Sequence, residues 1–146
     1  MRAVVQRVNS AFVRYDGVEN KIGKGLVVFV AIGCEDTEKD VDYMVNKIVK
    51  LRIFDDENGK MNKSVVEVGG EILVVSEFTL YGSCKGSNRP DFTYAAKPEV
   101  AKKLYDNFVE KLKLTIMEDK VKTGNFGSYM LVNILNDGPV TIILES

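Results

Sequence analysis

Ser76-Glu77-Phe78-Thr79-Leu80-Tyr81-Gly82 sets two hydroxyls, a carboxylate and an aromatic ring directly behind the apolar run Ile72-Leu73-Val74-Val75. A buried strand that opens into a loop is a common place for an active site. An absence narrows the chemistry: the chain contains no histidine. A Ser-His-Asp triad and a Cys-His pair cannot be built from this chain alone, and histidine-ligated zinc is excluded. Thr79 needs a base to act as a nucleophile, and Glu77 is the only carboxylate nearby in sequence. Residues i and i+2 of a strand share a face, so Glu77 and Thr79 point the same way if the strand continues through them. The bland alternative is a strand end whose Ser76 and Thr79 hydroxyls bond to backbone.

Three other segments carry chemistry or imitate it. Asn136-Asp137-Gly138-Pro139-Val140-Thr141 lies between apolar runs, where Asp-Gly is a two-residue hairpin signal. Pro139 cannot donate to a strand ladder, and an X-Pro bond is the one kind of peptide that readily adopts the cis form. Residues 82–92 make a polar, basic loop that could embrace a phosphate but lacks the glycine spacing of a P-loop. Gly124-Asn125-Phe126-Gly127-Ser128-Tyr129-Met130 sets Phe126 and Met130 beside small residues, as core packing or as a platform for an unstacked base. Asp55-Asp56-Glu57-Asn58-Gly59-Lys60 has no closing glutamate for a calcium loop and reads as an acidic hairpin turn.

These segments need elements to hold them. Residues 3–8, 11–15 and 26–32 are rich in Val, Ile and Phe and are predicted strands, punctuated by Asp16-Gly17 and Gly23-Lys24-Gly25. Thr37 followed by Glu38 and Asp40 marks a helix start, and Val41, Met44, Val45, Ile48 and Leu51 recur at helical spacing, which predicts a helix over 38–51. Residues 71–78 form a predicted strand. Pro98 opens a second helix with Ala101, Leu104, Tyr105, Phe108 and Leu112 on one face. Residues 120–122, 129–135 and 140–144 are predicted strands. Strands with two main inserted helices and no regular βαβ alternation give an α+β single domain, residues 1–146, with a barrel-like β-sheet core.

Composition bounds the rest. The chain of 146 residues fits one domain, and 45% hydrophobic content is ordinary for a globular protein. No apolar run reaches the length of a membrane span, and the start carries no export signal. Cys34 and Cys84 have no metal-binding spacing, so no metal or cofactor is expected and a reducing, cytoplasmic setting is. The net charge of −1 leaves no global footprint for nucleic acid, although lysines cluster locally. Most such clusters are explained by solvated helix faces.

Taken together, the segments resemble the D-aminoacyl-tRNA deacylase family. The resemblance spans essentially the whole chain: Gln6-Arg7-Val8, Arg52-Ile53-Phe54, Asn58-Gly59-Lys60-Met61-Asn62, Gly69-Gly70, and the signatures Ser76-Glu77-Phe78-Thr79-Leu80 and Asn136-Asp137-Gly138-Pro139-Val140-Thr141. It implies a homodimer that hydrolyses the ester between a D-amino acid, or glycine, and the 3′-terminal ribose of tRNA. It also implies a cis Gly-Pro dipeptide reaching into the partner's site, with Gly138 and Pro139 lining the amino-acid pocket and Arg7 holding them. Phe126 and Met130 match positions that hold the terminal adenine, and Thr79 with the backbone at Phe78 would face the ester. The family's first signature usually has glutamine where this chain has Glu77, and a carboxylate donates a hydrogen bond only when protonated. Two other readings are a non-catalytic module that binds the tRNA acceptor end and a purely structural dimer domain.

Overall fold

The computed structural model describes residues 1–146. Its first strand, β1 (Arg2–Tyr15), turns through Asp16 and Gly17, both with positive φ, into β2 (Val18–Ile22) and then β3 (Gly25–Ala31). β2 and β3 line up end to end against β1, from Tyr15↔Val18 to Arg2↔Ala31. Helix α1 (Glu38–Lys50) follows, then the short hairpin β4 (Phe54–Asp55) and β5 (Met61–Lys63), then β6 (Glu71–Ser76). A short 3-10 turn (Phe78–Tyr81), helix α2 (Pro98–Ile116), a second 3-10 turn (Glu118–Lys120), β7 (Val121–Thr123) and β8 (Leu131–Glu145) complete the chain.

The sheet runs β2-β1-β3-β6-β7, with β8 on the far side of β1. The β3–β6 and β6–β7 pairs are parallel and the others antiparallel. The Asn20 amide reaches across from β2 to donate to the Thr123 carbonyl at 2.6 Å, drawing β7 towards β2. The result is a nearly closed, barrel-like mixed sheet with two helices on one side.

Both helices form where the sequence predicts them. Thr37 caps α1: its side chain accepts from Lys39, while the Asp40 carboxylate accepts the Thr37 N–H at 2.8 Å. These bonds satisfy donors that the first turn otherwise leaves open. Pro98 begins α2, where its missing N–H costs nothing. Val41, Met44, Val45 and Ile48 of α1 and Leu104, Phe108 and Leu112 of α2 bury against Ala3, Val5, Leu26, Val28, Ile72 and Val74. A second, smaller core fills the barrel with Val8, Ala11, Val13, Ile22, Val27, Leu73 and Val75.

β1 serves both cores, which explains two departures from the sequence-based expectation. Residues 3–8 and 11–15 are one strand, not two. Its inward face changes core between Val5 and Val8, and register shifts against β8 accompany the change. Similarly, Asp137-Gly138 is no hairpin turn, because β8 runs on through it. Gln6 faces Thr141 and Val8 faces Asn136, so residues 137–140 stand opposite Arg7 alone. That wide bulge lets β8 change cores with β1: Val132 and Ile134 pack on the barrel core, Val140, Ile142 and Leu144 on the helix-facing one. Two further differences are β2 (Val18–Ile22), which the sequence reading did not predict, and β6, which ends at Ser76 and not Phe78.

Candidate active site

Leu73 and Val75 of β6 are buried in the barrel, and the strand stops where the chain leaves it. The Glu77 N–H still donates to Val30 of β3 at 2.9 Å, an extension of the parallel pairing. The chain then tightens, with Leu80 N–H donating to Glu77 O and Gly82 N–H to Thr79 O. A 3-10 turn leaves its first N–H groups without intrahelical acceptors. Those of Phe78 and Thr79 accordingly donate to nothing within the chain. Glu77 and Thr79 are neighbours because of this turn, and the Thr79 hydroxyl donates to Glu77 Oε1 at 2.9 Å.

These residues line a cleft of about 840 Å³. Ser76, Glu77, Phe78 and Thr79 are on it, and so are Phe126 and Met130 from the segment after β7. Phe126 packs on Tyr105 of α2 with ring centroids 5.5 Å apart. Burial pushes the Tyr105 phenol well above its ordinary pKa, so it stays neutral. The Met130 thioether occupies space left by a missing side chain, since a Cβ on Gly124 would lie 2.4 Å from its sulfur. Phe78 is 59% exposed and meets Phe92 edge to face at 5.1 Å. Glu77 is the only charged residue on a largely apolar lining.

Arg7, Gly138 and Pro139 do not line that cleft. They sit together at the crossing of β1 and β8. Arg7 is only 8% exposed, and its guanidinium donates to the carbonyls of Ile53 at 2.7 Å and Asp137 at 3.2 Å. The carboxylates of Asp137 and Asp55 stand 3.2 and 3.6 Å away, so the buried charge is compensated. Asn136 Oδ1 accepts the Val140 N–H at 3.0 Å and closes the bulge from the other side. Gly138 has φ +123°, a conformation that L side chains rarely adopt, and the Gly138–Pro139 peptide is cis. Both residues are exposed at the tip of a firmly tied loop.

Sequence reasoning thus names two groups of residues, and the structure keeps them apart within one chain. It misses Phe29, Phe92 and Tyr105 as parts of the cleft wall. Tyr105 reads as core because it shares the apolar face of α2, and it is both. Phe92 ends the basic loop, and its aromatic ring beside polar residues was the available signal. No three His, Cys, Asp or Glu side chains cluster in a way that could hold a metal ion.

The family model described as D-Tyr-tRNA(Tyr) deacylase matches residues 4–145. The chain belongs to the D-Tyr-tRNA(Tyr) deacylase family. Relatives named D-aminoacyl-tRNA deacylase include those of Thermosipho melanesiensis, 56% identical, and Halothermothrix orenii, 57% identical. Each alignment covers 100% of this chain and 97% of the relative. A solved structure named c-Myc DNA Unwinding Element Binding Protein superposes with TM-score 0.95 at 48% identity, covering 100% of this chain and 99% of that one. Another, described as a probable eukaryotic D-amino acid tRNA deacylase, reaches TM-score 0.84 at 19% identity over 98% and 97%, and shares the fold. This deacylase is therefore an enzyme of the hydrolase class.

Proposed function

We propose that the protein hydrolyses the ester joining a D-amino acid, or glycine, to the terminal ribose of tRNA. The observation that carries this is the pair of unused N–H groups at Phe78 and Thr79, on a cleft that also holds Phe126 and Met130. An aminoacyl ester is already activated, so stabilising its tetrahedral oxyanion is the main requirement. One well-placed donor contributes about 2.7–4 kcal/mol to that. Two backbone donors need no titrating side chain, which suits a chain without histidine. The neighbouring 2′-hydroxyl of the ribose then assists the attacking water. The terminal adenine stacks against Phe126 and Met130.

The working form is a homodimer in the cytoplasm. Val4, Phe29 and Ile143 are paired side by side across β3, β1 and β8, and Ile143 is 68% exposed. Leu131 and Leu135 extend this apolar surface along β8. Pairing two copies covers it and brings Gly138 and Pro139 of one copy to the cleft of the other. The rigid dipeptide there rejects an L side chain by collision, and glycine passes because it has none.

Incubation with D-Tyr-tRNA, L-Tyr-tRNA and Gly-tRNA tests the reading. Release of D-tyrosine and glycine but not L-tyrosine is the expected result. Binding without release would instead make the protein an acceptor-end-binding module, and equal release of both tyrosines would remove the chiral filter.

A further inference from the structure

We propose that residues 83–103 form a phosphate-binding rim for the single-stranded end of the tRNA, an inference that rests on the hydrolase reading above. The cleft itself offers a polyanion no cation, since its only charged residue is Glu77. Counter-charge must come from beside it. Residues 83–103 carry Lys85, Arg89, Lys97, Lys102 and Lys103 against Asp91 and Glu99, a net charge of +3. The whole chain carries −1, so everything outside this segment sums to −4. The segment is thus net positive in a chain whose remainder is net negative.

That segment borders the cleft. Phe92, Ala95, Ala96 and Pro98 are on the cleft wall, and the exposed Lys97 stands between the last two. Lys85 and Arg89 project from a loop closed by paired hydrogen bonds between Ser83 and Asp91, at 2.8 and 2.9 Å. The ridge is itself tied to the end of β3, where Cys34 N–H donates to Tyr94 O and Ala96 N–H to Ile32 O. The cations are therefore mounted on ordered backbone.

They are also free. Lys102 is engaged by Asp106 at 2.5 Å, whereas Lys85, Arg89, Lys97 and Lys103 have no carboxylate partner. Asp91 forms no ion pair with them; its carboxylate accepts from the Thr93 N–H and hydroxyl at 3.0 and 2.6 Å. Tyr94, 64% exposed, adds an aromatic face among the cations, and sequence-tolerant binding of single strands combines such faces with positive charge.

The test compares wild type with the triple variant Lys85→Ala/Arg89→Ala/Lys97→Ala on three probes: D-Tyr-tRNA, the D-tyrosyl ester of adenosine, and uncharged tRNA. Each phosphate contact on a single strand adds about 0.7 to the slope of log K against log salt, so losing three lowers it by about 2. Between 50 and 200 mM salt, wild-type affinity for uncharged tRNA is expected to fall about 16-fold more than that of the variant. Turnover of D-Tyr-tRNA should fall at low salt, and turnover of the adenosine ester should not change. A Lys85→Arg/Lys97→Arg variant should behave as wild type. An unchanged salt slope overturns the rim, as does equal loss on both esters. If wild type hydrolyses neither ester, the hydrolase reading fails, and the salt slope with uncharged tRNA still decides the rim on its own.

Discussion

The Thr79 hydroxyl donates a hydrogen bond to Glu77 Oε1, so it is oriented by the carboxylate. If the donors that matter are main-chain N–H groups, Thr79→Ala should retain turnover to within about tenfold. Removing a true oxyanion donor costs about 100- to 1,000-fold. A loss of that size in single-turnover hydrolysis of D-Tyr-tRNA would make the hydroxyl part of the chemistry. Glu77→Gln installs the residue that the resemblance to the deacylase family implies at this position. Its amide oxygen can still accept from Thr79, so the same assay should show a change of less than about tenfold in either direction. A several-thousand-fold gain would identify the glutamate as an inactivating change.

At the level of elements, the supports of the site can be probed separately. Gly124→Ala places a methyl group where the Met130 sulfur lies and should displace the thioether from the cleft. KM for the acylated tRNA should rise several-fold with kcat little altered, because overpacking a tight contact costs about 1–3 kcal/mol, mostly in local geometry. Thr37→Ala removes the cap of α1 and should cost about 1 kcal/mol in urea denaturation. The Asp40 carboxyl is held below its ordinary value, chiefly by the Thr37 N–H and then by Ser146. A depressed carboxyl stabilises the fold above its unfolded pKa and loses that contribution as pH falls through the folded value. Asp40→Asn should therefore flatten the loss of stability on acidification below about pH 4.

Both helices were legible because their signals are local: a capping residue, an N-terminal proline and a 3.6-residue period. The floor of the cleft was legible as a strand end, and its residues could be named. The geometry was not. Whether Glu77 and Thr79 share a face depends on a 3-10 turn whose only trace is the stop of β6 at Ser76, set by where its parallel pairing with β3 runs out. Asp137-Gly138 looked like a hairpin because the turn chemistry of a bulge and of a hairpin is the same. Only the continuous partner β1, far away in sequence, distinguishes them. Nor does any local pattern show that β1 feeds two cores.

For the whole molecule, the decisive question is how a Gly-Pro tip and a cleft that lie apart in one chain cooperate. In the proposed homodimer, two copies related by a twofold axis each lend a tip to the other's cleft. Pro139→Ala with Gly138→Ala should inactivate one preparation, and Phe126→Ala should cripple another. Mixed and allowed to exchange subunits, the two should recover about a quarter of wild-type activity, since half the dimers are mixed and each mixed dimer has one intact site. No recovery, with exchange confirmed by mass spectrometry, would place tip and cleft in the same subunit. No helix here is long and apolar enough to cross a membrane.

β8 is fifteen residues long and is paired only with β1, so it leaves an open edge of main-chain groups beside Leu131, Leu135 and Ile143. Long, flat, apolar edges recruit further strands and grow into fibres. Here the run is cut near its middle: the 137–140 bulge breaks the ladder, and Pro139 offers no N–H to an incoming strand. The fifteen-residue edge is thereby split into two shorter ones. The bulge that presents Gly138 and Pro139 in the proposed dimer thus also interrupts the edge along which single chains would stack.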